Sequence, residues 1–146
     1  EVSSNQPELV GLPFDDTADE SAQFSFTFPN RWNVGTILFK VKWTSTGTST
    51  NSVVWRMRAV AVGDGDSPLV SFSSPVTVTD AHVGSAYFND VTAYSSPLTI
   101  QNTPAAGDLI HFQITRLSTD GSDSLVGDAI LKEVIIQYTS TAGTDD

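Results

Sequence analysis

The stretch Thr36-Ile37-Leu38-Phe39-Lys40-Val41-Lys42-Trp43-Thr44 sorts its side chains by parity. Ile37, Phe39, Val41 and Trp43 fall on one side and Lys40, Lys42 and Thr44 on the other, the pattern of a strand with one buried and one wetted face. Towards the N-terminus, Phe24, Phe26 and Phe28 repeat the period in a strand that starts at Gln23 and stops at Pro29. Past the polar stretch 45–52, Val53, Trp55, Met57, Ala59 and Ala61 alternate with Arg56 and Arg58. This third run is expected to pair with the second as a hairpin, with Trp43 beside Trp55. Weaker β signals follow the turn cluster 63–68, at residues 69–72, 75–79, 85–91 and 97–100. Two strong runs close the chain, 108–117 with Ile110, Phe112 and Ile114, and 128–139 with Ile130, Val134, Ile136 and Tyr138. No stretch holds a 3.6-residue apolar period, so at most a short helical turn near 80–84 is expected. About eight strands split by polar turns predict an all-β fold, an antiparallel sandwich. Its long connections favour a jelly roll or related Greek key over an up-and-down barrel.

A chain of 146 residues suits one domain. With 39% hydrophobic and 16% charged residues it fits neither a membrane span, a coiled coil nor a disordered chain. The net charge of -10 opposes broad attraction to nucleic acid or an anionic membrane. The acids are unevenly placed. Glu1, Glu8, Asp15, Asp16, Asp19 and Glu20 precede any base, Asp145 and Asp146 end the chain, and 21–144 carries nine acids against all seven bases. The organisation expected is an acidic N-terminal arm (1–21), a sandwich (22–140) and a short acidic tail (141–146). The chain opens at Glu1 without Met or an apolar leader, which reads as a processed or trimmed product, or one missing its initiator.

The chemistry open to these residues is narrow. Zero Cys removes disulfide, zinc-thiolate and thiol-nucleophile options. His82 and His111 lack the spacing that puts two imidazoles on one metal, and His111 alternates with Phe112 on a strand. The acid-rich turns Asp64-Gly65-Asp66 and Asp120-Gly121-Ser122-Asp123, with Asp128, could offer oxygens to calcium. Asp and Gly are also what tight turns require, and neither turn matches an EF-hand loop. No G-x-S-x-G elbow is present, and nearly every acid of the body sits in or beside a turn. The expectation is a protein that is not an enzyme and needs no cofactor, with calcium the one metal the turns suggest.

Surfaces carry more. In the expected hairpin Lys42 opposes Arg56 and Lys40 opposes Arg58, a cationic face that needs compensation by nearby carboxylates or by an anionic glycan or acidic partner. Trp32 and Tyr94 are candidate stacking platforms for sugar. In the last strand Ala129, Leu131 and Ile135 alternate with Ile130, Val134, Ile136 and Tyr138, leaving apolar groups on both faces. That pattern nominates Leu131 and Ile135, with the acidic Asp16 and Glu20, for a homo-oligomer interface.

Several segments together carry a resemblance: Phe14-Asp15-Asp16-Thr17-Ala18-Asp19-Glu20-Ser21-Ala22-Gln23-Phe24, Phe28-Pro29-Asn30-Arg31-Trp32-Asn33-Val34-Gly35-Thr36 and Lys42-Trp43-Thr44. Val54-Trp55, Val76-Thr77-Val78-Thr79-Asp80, Pro104-Ala105-Ala106-Gly107-Asp108-Leu109, Arg116 and the run from Asp120 into Ala129-Ile130-Leu131 add to it. From Phe14 to Thr139 the chain resembles a family of small β domains from tailed, especially aquatic, bacteriophages and prophages, usually virion or tail-associated proteins. The resemblance implies a virion-located structural protein, a capsid decoration, head fibre or tail adsorption piece. Such a protein would bind itself, as a trimer, and other virion proteins. It also implies that Asp15 to Glu20 is ordered against the body. Relatives carry small or polar residues where this chain has Arg56 and Arg58. A carbohydrate-binding module for host-surface or acidic polysaccharide is the alternative, and a polysaccharide depolymerase the weakest reading.

Overall fold

A computed structural model describes residues 10–141. Its eight strands are β1 (Leu12–Phe14), β2 (Glu20–Thr27), β3 (Trp32–Ser45), β4 (Ser52–Val62), β5 (Val76–Ala81), β6 (Asp90–Val91), β7 (Leu109–Arg116) and β8 (Ala129–Ser140). They form two four-stranded sheets, β1-β8-β3-β6 and β2-β7-β4-β5, and every pairing is antiparallel. First pairs with last, second with seventh, third with sixth and fourth with fifth, successive pairs falling in alternate sheets. This is one long antiparallel hairpin rolled over on itself, a jelly roll. Among the described residues there is no helix, and β5 runs on as strand to Ala81 where a helical turn was expected.

The period-two signal forms the core. Ile37, Phe39, Val41 and Trp43 of β3 meet Val53, Trp55, Met57, Ala59 and Ala61 of β4 and Ile110, Phe112 and Ile114 of β7. At one end Phe28 stacks on Trp32 (ring centroids 4.4 Å apart) and lies edge-on to Tyr138. At the other, Phe14 of β1 meets Trp55 edge-on at 5.2 Å. Pro13 sits in the edge strand, where its missing N–H costs no ladder bond.

Several expectations are corrected. Runs β3 and β4 are not a hairpin: they lie in different sheets, so Trp43 and Trp55 enter the core from opposite sides. Polar loop 46–51 crosses from sheet to sheet instead of turning back. Trp32, expected in a loop, begins β3 and is only 3% exposed. Of the weaker signals, 69–72 forms no strand, 85–91 shrinks to β6, and 97–100 leaves an isolated bridge from Leu98 to Ile37.

The two apolar faces of β8 also resolve. Val41 lies opposite Val134, Lys42 opposite Glu133, and Trp43 opposite Leu131, so Lys132 is the extra residue of a β-bulge. A bulge shifts the alternation by one. Ala129 and Leu131 face inward before it, and Val134, Ile136 and Tyr138 after it. One face of β8 is therefore buried throughout.

The acidic arm is part of the sandwich from Leu12 onward, since β1 pairs with β8. Asp16 accepts a hydrogen bond from the Gly127 N–H, and Asp19 accepts from the N–H and hydroxyl of Thr119. Glu20 accepts from the Asp15 N–H, and the Thr17 hydroxyl and N–H hold the Asp15 carboxyl below its usual range. These carboxylates lie on their own body. Glu1, Glu8, Asp145 and Asp146, and the tail from residue 142, lie outside the described residues.

Candidate functional site

With β3 and β4 in separate sheets, the four bases expected on one face are divided between two. On the outer face of β1-β8-β3-β6, Lys42 stands opposite Glu133, with Nζ 2.6 Å from Oε2. Lys40 stands opposite Ile135 and places its ammonium 4.6 Å from the centroid of the Tyr94 ring, a cation–π contact. Tyr94 is 44% exposed, so Lys40, Lys42, Tyr94 and Ile135 are neighbours on this face. Trp32 is not with them. It is stacked in the core and offers no platform. Leu131 is turned inward by the bulge, and Asp16 and Glu20 are engaged within the chain.

The outer face of β2-β7-β4-β5 is chemically different. Arg56 lies between Thr115 of β7 and Thr77 of β5, and Ser21 of β2 continues that row. Arg58 lies beside Gln113, with Gln23 beyond it; the next row is Val60, His111 and Ser25. None of these rows contains an acid. Among the described residues the ion pairs are Lys42–Glu133 and Arg116–Asp123, with His82 and Asp90 in contact as well, and neither the Arg56 nor the Arg58 side chain makes a hydrogen bond. The Nε of each is buried without a partner.

Two buried polar centres lie at the Phe14–Trp55 end of the sandwich. Arg116 is fully buried, and all five of its N–H donors are used. Nε and Nη2 grip the two oxygens of Asp123 at 3.2 and 3.0 Å, and the other three donors reach the carbonyls of Phe14, Leu125 and Gly127. Asp123 also accepts from the Val54 N–H. Beneath the 46–51 loop, His82 lies between Asp90 Oδ2 (2.6 Å) and the Gly47 carbonyl (3.1 Å), and Asp90 accepts from the Val83 N–H. The Trp43 indole N–H donates to Asp80 at 2.8 Å. Burial pushes the Asp80 carboxyl above its ordinary range against that bond, and Asp90 adds to the rise. His82 is 2% exposed, so it braces a loop and does not face a substrate.

The acid-rich turns are occupied by backbone contacts. Asp66 accepts from the Gly63 N–H, Asp120 from the Ser122 N–H and Asp108 from the Ala105 N–H. Among the described residues no three or more His, Asp or Glu side chains gather as a metal would need. His111 stays on its outer face, away from His82. Sequence reasoning missed both buried centres. The sign for Arg116 was present, because it continues the inward phase of Ile110, Phe112 and Ile114.

Two further features lie on the surface. Val83, Tyr87, Phe88 and Val91 are all exposed within nine residues, Tyr87 and Phe88 by 58% and 60%. This stretch is held to the end of β3 by the Tyr87 N–H on the Ser45 carbonyl and the Thr44 hydroxyl on the Phe88 carbonyl. Beyond short β1, strands β2 and β8 part over Phe24, Phe26, Phe28, Val134, Ile136 and Tyr138, leaving an apolar groove of about 340 Å³. No family model, curated protein or solved structure matches this chain.

Proposed function

We propose that this chain is a non-enzymatic structural protein of a bacteriophage virion, a capsid decoration, head fibre or tail adsorption piece that works by protein–protein binding. The observation that carries this is the exposed stretch Val83, Tyr87, Phe88 and Val91, fixed by backbone bonds to the rigid edge of a sheet. Aromatic side chains presented on a fixed element are what protein interfaces use as anchors. The sequence resemblance supplies the virion setting and the trimeric state, and the jelly roll is an architecture that viral capsid domains use. Fold alone does not assign a function, and it is the exposed aromatic stretch that favours protein binding.

Light scattering at micromolar concentration and co-sedimentation with purified particles test this together. The native chain is expected as a trimer that sediments with the particle. Tyr87→Ser combined with Phe88→Ser is expected to abolish one or both behaviours while leaving the melting temperature nearly unchanged. A native monomer that stays in the supernatant removes the proposal.

A further inference from the structure

The Arg56–Arg58 face has no role in the protein-binding reading. Lys42, Arg116, Lys40 and Lys132 each have a side-chain partner, in Glu133, Asp123, Tyr94 and Asn89. Arg56 and Arg58 have none among the described residues, although the chain carries seventeen acids. They stand two residues apart on one strand, about 7 Å by the rise of a β-strand. Both sit in the interior of a sheet, with Thr115 and Gln113 on one side and Thr77 on the other. With Nε buried and no hydrogen bond made, each guanidinium has only its Nη edge to present outward. Two like charges held this close, with no carboxylate beside them among the described residues, are compensated best by an anion from outside.

The surroundings narrow the class of anion. Ser21, Gln23, Ser25, Thr77 and Thr79 are exposed hydroxyls and amides on this face. No exposed aromatic side chain lies in the arginine rows, and Leu109, the one exposed large apolar residue on strands β2, β7, β4 and β5, stands at the far end of the face. A protein interface would need an apolar or aromatic anchor there. A nucleic acid, with its dense phosphates, would need more cations than two and would meet a net charge of -10. A hydrated chain of sugars with spaced carboxylates needs neither. Its carboxylates match the guanidinium edges, and its ring hydroxyls match the Ser, Thr and Gln rows. We infer that the outer face of the β2-β7-β4-β5 sheet, centred on Arg56 and Arg58, binds a carboxylate-bearing polysaccharide of the polyuronate class.

The test is titration of the full chain with polyuronate oligosaccharides at low and high salt. Dextran serves as the uncharged control, and poly-glutamate and single-stranded DNA as the other polyanions. Polyuronate is expected to bind, more weakly as salt rises, and dextran not at all. Arg56→Gln and Arg58→Gln should each weaken binding about tenfold or more, as loss of a charge-assisted hydrogen bond does. Lys40→Gln with Lys42→Gln, on the opposite face, should leave it unchanged. Arg58→Lys keeps the charge without the fork, so it is expected to fold as the parent does and to bind at an intermediate level. It keeps the test open if a glutamine variant loses its cooperative melt. The inference is overturned by absence of polyuronate binding at low salt, by equal loss in the Lys40 and Lys42 variants, or by tighter binding of poly-glutamate or DNA. Because the Tyr87 and Phe88 variant leaves this face intact, the outcome is independent of the virion assignment.

Discussion

Replacing Arg116 by Met removes a side chain of similar length whose five N–H groups all have partners. It strands the Asp123 carboxylate with the Val54 N–H as its remaining donor, and it leaves the carbonyls of Phe14, Leu125 and Gly127 without theirs. Breaking one side of a buried ion pair costs about 3–5 kcal/mol. For a chain of this length each kcal/mol moves the melting temperature by about 2–4 °C, so a fall of about 10–15 °C is expected. Arg116→Lys should recover little, because an ammonium cannot grip both oxygens of Asp123 and reach three carbonyls at once. Equilibrium urea unfolding, followed by tryptophan fluorescence, gives the free energy directly, since Trp55 packs on Phe14 beside this centre. A Met variant within about 1 kcal/mol of the parent would refute the idea that this network ties β1, β4, β7 and the entry to β8 together.

Other outcomes follow from single features. Asp80→Asn keeps an oxygen for the Trp43 indole N–H but sheds a charge that burial disfavours. The raised carboxyl pKa means that folding stability falls as pH climbs from the ordinary 3.8 through the folded value, and the deficit persists at neutrality. The Asn variant should therefore melt higher at pH 7, with the gap closing as the buffer is taken below that ordinary value. Deleting Lys132 should be tolerated, because Leu131, Glu133 and Val134 then alternate in the register they already hold against Trp43, Lys42 and Val41, whereas deleting Ile135 should abolish folding, because it turns either Ile136 and Tyr138 or Ala129, Leu131 and Val134 to the outside. Circular dichroism and solubility distinguish the two. Deleting residues 1–20 takes away β1 and the Phe14 ring, and loss of a cooperative thermal transition is expected.

Strand identity and inward phase were legible because burial writes a period of two into the chain, and this worked for β3, β4 and β7 almost residue by residue. Partnership was not. Alternation says which side of a strand is wet and nothing about which strand lies beside it, so a polar connection after Ser45 is equally able to turn back or to cross. That one ambiguity placed Lys40, Lys42, Arg56 and Arg58 on a single face. Once the sheets are separated, the pair that keeps an unmet charge among the described residues is Arg56 and Arg58, which the alternation marked only as half of a larger cationic face. Trp32 was misplaced because its neighbours Arg31 and Asn33 give no alternation. The Lys132 bulge did leave a trace, the three-residue step from Leu131 to Val134, but such a step is also what a second apolar face produces. His82 with Asp90 depends on a fold-back of the 82–90 segment that no local pattern encodes.

The order of pairing bears on how the chain acquires its shape. Only β4 and β5 are both consecutive and hydrogen-bonded, while β1 must find β8 across nearly the whole length. Closing long loops is entropically costly, so the hinge of the roll is expected to form early and its open end last. Strand β8 is the piece that completes the β1-β8-β3-β6 sheet, sitting between β1 and β3. The interior therefore stays open until β8 has been made. A chain cut short before β8 would leave Phe28, Trp32, Phe39 and Trp43 uncovered, an apolar surface that a chain containing β8 does not show.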